Sequence, residues 1–315
     1  MKTPRFKLSV FIVALVVVAT FRQPCAIAIE PVKITQCGGI NKSGSYVVAN
    51  NLAADGHCLV VTADSVTLDL AGFVITGGRS GAGIAGGGRN LAVRNGTITQ
   101  FGAGLAIRGA NAIVEGVRVI GNSRGIAASS ATIRGNTVLD NSVVGIEATG
   151  ASSIMGNTVI GNLDGIVAAS GSIVSNNTVQ ANREVGIAVP SRGVEGPGGL
   201  MSGNTVVGNG KEGILGGPGS LVSGNIVLNN GAVGIAVGAD LFVSGSTVSG
   251  NTVQGNGGTG ISVGGGSSVS NNTVGEGITG LCPSNITQNT SVNGFSFSGK
   301  GCDFHDNVGD VTVLE

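Results

Sequence analysis

Three acids stand just ahead of successive Gly-Ile pairs in the middle of the chain: Asp164, Glu184 and Glu212, with Arg183 and Lys211 beside the last two. Paired carboxyls are what glycoside hydrolysis needs, because one donates a proton while another activates water or attacks the sugar. Interleaved with two bases, the same residues are also a solvated ladder whose charges offset one another. A second constellation is basic. Between Leu70 and Leu139 the chain carries Arg79, Arg89, Arg94, Arg108, Arg118, Arg124 and Arg134 against one acid, Glu115. From Asp140 onward the balance reverses, to 4 basic and 12 acidic residues. Arg94, Glu115 and Arg134 fall at one position of a repeat, so they should stack with the acid between two guanidinium groups, and Arg118 lies three residues past Glu115. The guanidinium fork matches carboxylate and sulfate groups. The set therefore fits an anionic ligand, or else a charge ladder that relieves repulsion. His57 and His305 are isolated. The chain has no Asp-Asp pair and no Asp-rich glycine nonapeptide of the calcium-binding kind, so neither a metal site nor a cofactor is called for.

The elements that position these groups come from an internal repeat. The string GNTV or a near relative starts at Gly135, Gly156, Asn176, Gly203, Gly224, Gly250 and Asn271, and a Gly-Ile pair follows each one. Aligning the copies gives three apolar columns. One runs Leu70, Val93, Val114, Ile133, Ile154 and on; the next runs Ile75, Ile98, Val119, Val138, Val159; the third is the apolar residue of the Gly-Ile pair, from Ile84 through Ile278. Glycine at every few positions and the lack of a 3.6-residue period exclude helices. Short β-branched strands of this kind bury their apolar side only by stacking turn upon turn. Two Asn columns, one from Asn136 to Asn272 and one from Asn122 to Asn256, suit left-handed corners and amide ladders up a stack.

The 315 residues include 58 Gly, 11% charged and 3% aromatic residues, and mean hydropathy is +0.38. That is apolar enough for a core, and it excludes disorder, collagen, coiled coil and a strongly basic nucleic-acid binder. Lys2, Arg5 and Lys7, the uncharged run from Leu8 to Thr20, and Ala26-Ile27-Ala28 predict a secretory signal peptide over residues 1–28. No other segment could span a membrane. Removing residues 1–28 leaves Cys37, Cys58, Cys282 and Cys302, an even set that implies disulfides in an exported, periplasmic or cell-surface chain.

With its turns of about 21 residues and its Asn columns, the segment 63–280 resembles the right-handed parallel β-helix family, in which "TLDLAGFVI" at Asp69 is similar to an opening-turn motif. The resemblance implies an all-β solenoid of about ten turns at ~4.8 Å each. Segments 29–62 and 281–315 carry no clean repeat and are expected to cap its ends. The pairs Cys37–Cys58 and Cys282–Cys302 would staple those caps, since the other pairings would join opposite ends of the rod. Longer turns at Pro190–Gly199 and Ala239–Ser246 should leave the same edge. An outward file of Thr97, Thr137, Thr158, Thr178, Thr205, Thr252 and Thr273 could bind a regular surface, or could follow from strand propensity alone.

The family resemblance implies polysaccharide lyases, hydrolases and epimerases as well as non-enzymatic surface proteins. The residues favour an exported, non-enzymatic rod that binds polysaccharide or another extended ligand. The alternatives are an enzyme acting on acidic glycans, with Asp164, Glu184 and Glu212 as its acids, and a structural or flat-surface binder. Arg94, Glu115, Arg118, Arg134, Arg183 and Lys211 are the expected ligand contacts. Nucleic acid is not an expected partner, because the basic half lacks stacking aromatics. Oligomeric state is left open.

Overall fold

The computed structural model describes residues 30–190, 198–238 and 245–314. Each turn holds three short strands, as in Thr132–Arg134, Thr137–Leu139 and Val144–Ala148. Every strand pairs in parallel with its counterpart one turn on: Ile133 lies opposite Ile154, Val138 opposite Val159, and Ile146 opposite Ile166. Alternation along each strand turns these three residues inward, where all are fully buried. Two corners separate the strands. Gly135 (φ 62°) and Asp140 (φ 53°) adopt the left-handed backbone that bends the chain there, and the corresponding Gly156 and Gly161 do the same.

The third strands form a continuous 14-stranded parallel sheet, and the first and second strands pair into one of 24. The solenoid has about twelve turns rather than ten, because both flanking segments add rungs. Gly38–Ile40 pairs with Leu59–Val61, and that strand pairs with Ala82–Gly86. At the far end Ile278–Leu281 pairs with Phe295–Ser298, which pairs with Val311–Leu314. Phe295 and Phe297 both meet Phe304 edge-on, so aromatic rings replace the β-branched core in the final turns. One register differs from expectation. Val93 lies opposite Leu68 and not Leu70, although both leucines are buried.

The Gly-Ile pair has a packing cause. A Cβ at Gly145 would stand 2.6 Å from Val159 Cγ1 and 2.9 Å from the amide nitrogen of Asn162, and Gly165, Gly186, Gly213 and Gly234 meet the same obstruction. The glycine therefore lets the third strand close onto the second column of the next turn.

Three buried polar ladders run along the rod. In the first, Asn136 Nδ2 donates to Asn157 Oδ1 at 3.0 Å, Asn157 to Asn177, and so on to Asn289 and Asn307, beyond the expected column. The second runs from Asn122 to Asn256 and ends on Glu276, whose Oε1 accepts the Asn256 backbone N–H at 2.7 Å. The third is made of serines and has no counterpart in the sequence reading. The Ser152 N–H donates to Ser172 Oγ, that of Ser246 to Ser267 Oγ, and that of Ser267 to Ser284 Oγ. Each ladder pairs backbone groups that the corners would otherwise bury without partners.

Disulfides join Cys37 to Cys58 and Cys282 to Cys302. Among the described residues no helix is long and apolar enough to cross a membrane. The expected signal peptide and most of the two long turns lie outside the described residues.

Candidate functional site

The outward residues of the first strand place the basic constellation. Asp69, Arg94, Glu115 and Arg134 occupy the same position on four successive rungs. Parallel pairing holds them one rung apart and sets their signs in alternation. Arg94 Nε donates to Asp69 Oδ2 at 3.0 Å, with the Asn95 amide 3.4 Å from both oxygens of the same carboxylate. One step further, Arg134 Nε donates to Glu115 Oε2 at 2.8 Å. Glu115 thus lies between Arg94 and Arg134, as the repeat predicts, and Asp69 closes the row. Asp69 joins the row because the apolar column passes through Leu68, opposite Val93, and not through Leu70 as the sequence alignment places it.

Gly116, Gly135 and Gly156 follow this row at the corner. Without side chains there, Arg94, Asn95, Glu115 and Arg134 border a shallow, open depression of about 500 Å³. Arg118 does not border it: it follows Glu115 on the strand Ile113–Ile120, past the bend at Gly116, in register between Thr97 and Thr137, and is exposed. Arg118 forms no ion pair among the described residues. A guanidinium carries five N–H donors, and the acids engage only one or two of each. The remaining donors of Arg94 and Arg134, with those of Arg118, face solvent at half-exposed side chains. Surface ion pairs contribute about 1 kcal/mol or less, so an incoming anion can share these donors at small cost.

The acidic candidates sit elsewhere, at the corner before the third strand. Glu184 is ion-paired with Lys211. The Val185 N–H reaches Asp164 Oδ1 at 3.4 Å, and Arg183 donates to the Ser142 carbonyl at 3.3 Å. Burial pushes the Asp164 carboxyl above the usual aspartate range. The Glu184 charge adds to that rise, while the Val185 N–H and Lys211 oppose it. Lys211 is held above the usual lysine value by its hydrogen bond and charge interaction with Glu184. Glu212 stands close enough to add to that effect. The corner therefore brings Asp164, Glu184, Lys211 and Glu212 together and leaves Arg94, Arg118 and Arg134 on other strands. A raised carboxyl beside a second carboxylate is an arrangement that acid–base chemistry uses, and structural ion-pair networks produce it too.

The threonine file runs in register through Thr137, Thr158, Thr178 and Thr205 and continues beyond Thr273 to Thr290. Arg118 and Ile226 interrupt it. His57 Nδ1 accepts the Ala82 backbone N–H at 3.0 Å, and His305 lies 2.7 Å from Asp303. No group of three or more metal-ligating side chains converges among the described residues. Two ion pairs went unforeseen, Arg124–Glu147 at 3.2 Å and Arg89–Asp64 at 3.4 Å. Arg89 falls at the repeat position of Asp64, so the repeat period could have found that pair, whereas Arg124 stands in register with Val144 and reaches along the next turn to Glu147.

Stacked parallel strands, left-handed corners and amide ladders define a right-handed parallel β-helix. The chain belongs to the right-handed β-helix region family, whose model matches residues 38–192 and 165–274. No curated protein matches the chain. Among solved structures it is similar to the A-module of the Azotobacter vinelandii mannuronan C-5 epimerase AlgE4, with 17% identity, 87% of this chain and 89% of that one covered, and a TM-score of 0.58. The AlgE6 A-module from the same organism has 19% identity, 87% of each chain covered and a TM-score of 0.54. A double mutant of the periplasmic alginate epimerase AlgG has 14% identity, with 88% and 75% covered and a TM-score of 0.55. At these identities the likeness is one of fold.

Proposed function

We propose that this protein is an exported β-helix rod that binds acidic polysaccharide without cleaving it, through the depression bordered by Arg94, Glu115 and Arg134 together with Arg118. One observation carries the reading: two guanidinium groups in a row of alternating charge border a glycine-lined depression, and a third exposed one, Arg118, lies three residues past Glu115 on its strand. Their spare donors recur at the spacing of the rungs, which suits carboxylates repeating along an extended chain. The similar folds named as mannuronan and alginate epimerases support a uronate-bearing ligand. Two disulfides fit an oxidising compartment outside the cytoplasm, in line with a signal peptide over residues 1–28. Segments 29–62 and 281–315 then serve as closing turns to a repeat body of 63–280, and Arg183 and Lys211 add a lesser contact at the acidic corner.

A second reading, an enzyme acting on acidic glycans, draws on the Asp164 carboxyl raised beside Glu184. Retention on, and modification of, a panel of acidic and neutral polysaccharides separates the two. Binding without shortening or epimerisation, lost in Arg94→Ala/Arg134→Ala, supports the rod. Turnover abolished by Asp164→Asn or Glu212→Ala would replace it with the enzyme.

A further inference from the structure

The row of Asp69, Arg94, Glu115 and Arg134 holds two cations and two acids, so its formal charge is zero. It stops there: Val47 precedes Asp69 in the same register, and Met155 and Ser175 follow Arg134. Such a row offers no net attraction to a polymer that bears an acid on every sugar. Parallel pairing also fixes its spacing. Arg94 and Arg134 lie two rungs apart, about 10 Å at ~4.8 Å per rung, with Glu115 on the rung between.

The two acids are not alike. Asp69 is occupied by its neighbours: Oδ1 accepts the Ala71 N–H at 2.8 Å, Oδ2 accepts from Arg94 Nε at 3.0 Å, and the Asn95 amide reaches both. Glu115 lines the depression, and its hydrogen bonds from Nε and one Nη of Arg134 both fall on Oε2. Among the described residues no donor reaches its Oε1, and the side chain is 34% exposed. The depression runs along the rod, since Arg94, Glu115, Arg134 and Gly156 stand on four successive turns. A ligand lying in it meets spare donors, a spare acceptor and spare donors again on three of them. An extended sugar chain laid this way advances by about one rung per sugar.

We infer that Glu115 determines which acidic polysaccharide this site accepts: one with a carboxylate on every second sugar and a hydrogen-bond donor on the sugar between, as in a polymer alternating uronate with hexosamine. The inference rests on the glycan reading of the depression and deepens it. Carboxylates at Arg94 and Arg134 then straddle a hydroxyl, amide N–H or ammonium at Glu115 Oε1. A homopolyuronate instead sets a carboxylate against the Glu115 carboxylate, and that like-charge contact selects against it. Arg118, past the bend at Gly116, attracts either polymer and does not enter this spacing.

Equilibrium binding of two length-matched polymers at one ionic strength tests it, one alternating glucuronate with N-acetylglucosamine and the other of mannuronate alone. Wild type should hold the alternating polymer about 10-fold more tightly. Glu115→Gln keeps an acceptor of the same shape and removes its charge. It should raise affinity for the mannuronate polymer about 10-fold and leave that for the alternating one within about 2-fold. The side chain is on the surface, so an unchanged melting temperature certifies the fold. Wild type binding both polymers equally, or Glu115→Gln shifting both alike, would overturn the inference and leave the glycan reading standing. Two other outcomes overturn the reading and the inference together. One is retention of neither polymer by wild type. The other is binding that survives Gly135→Asn, which fills the floor of the depression. That variant keeps the fold because Asn95 and Asn176 hold the same left-handed corner on other turns, at φ 59° and 54°.

Discussion

Arg134 and Glu115, 19 residues apart in sequence, meet at 2.8 Å on adjacent rungs of the rod, the guanidinium donating to the carboxylate. The contact follows from repeat length alone: once Ile133 stacks on Val114, the next outward residue of each strand must meet its counterpart. A pair this exposed adds little to stability. Arg134→Ala should lower the unfolding free energy by about 1 kcal/mol or less, measurable by urea titration, while reducing retention on acidic polysaccharide several-fold. A stability loss as large as the binding loss would make the ladder structural.

Arg118 gives a sharper separation. Among the described residues its side chain has no carboxylate partner to lose, so Arg118→Ala should leave the melting temperature unchanged and still weaken polyuronate binding. Because that binding rests on charge, it should weaken steeply with added salt, more so for wild type than for the variant. Binding indifferent to salt would argue against the depression as the site.

The amide ladders predict the opposite balance. Asn204 accepts from the backbone N–H and the side-chain amide of Asn177, both at 3.0 Å, and donates to the Val174 carbonyl at 2.8 Å. Asn204→Ala strands these groups in a dry interior and should cost about 3 kcal/mol or more. Gly145→Ala should cost about 1–3 kcal/mol by forcing a methyl against Val159 and Asn162. Chemical denaturation of the two variants gives both numbers directly.

Asp164 carries the pH dependence of the acidic corner. Burial favours its protonated form, so its pKa is higher folded than unfolded. Its favourable contribution to stability is complete below the unfolded value of about 3.8 and disappears as pH rises through the folded value. Asp164→Asn should therefore melt above wild type at neutral pH, with the gap closing or reversing at acid pH. A gap independent of pH would mean that burial does not disfavour this carboxylate.

Much of the architecture was legible because parallel stacking turns sequence periodicity directly into neighbours. The apolar columns, both Asn columns and the position of Glu115 between Arg94 and Arg134 all follow from the repeat period. The failures have local causes. In the opening turn Val66, Leu68 and Leu70 are all buried, so apolarity alone could not decide whether Leu68 or Leu70 met Val93, and Asp69 was lost as the partner of Arg94. The rungs of the flanking segments were obscured where Phe295, Phe297 and Phe304 take over the core from valine and isoleucine. Ser152, Ser172 and Ser267 carry no apolar or amide signature that a repeat alignment picks out, and their role comes from the backbone N–H groups they accept from. At the acidic corner Asn182 and Gly186 are separated by one residue more than Asn162 and Gly165. That extra residue puts Val185 rather than Glu184 directly ahead of its glycine, so the Val185 N–H meets Asp164, while Lys211 follows Glu184 at the same step that separates Gly213 from Gly186.

The most direct test of the glycan-binding proposal is equilibrium retention of a defined acidic polysaccharide by wild type and by Arg94→Ala/Arg118→Ala/Arg134→Ala, with the polymer recovered and its length and composition analysed. Retention by wild type, loss in the triple variant with an unchanged melting temperature, and an unaltered polymer are the predicted results. Equal retention by both proteins, or a polymer returned shorter or epimerised, contradicts it.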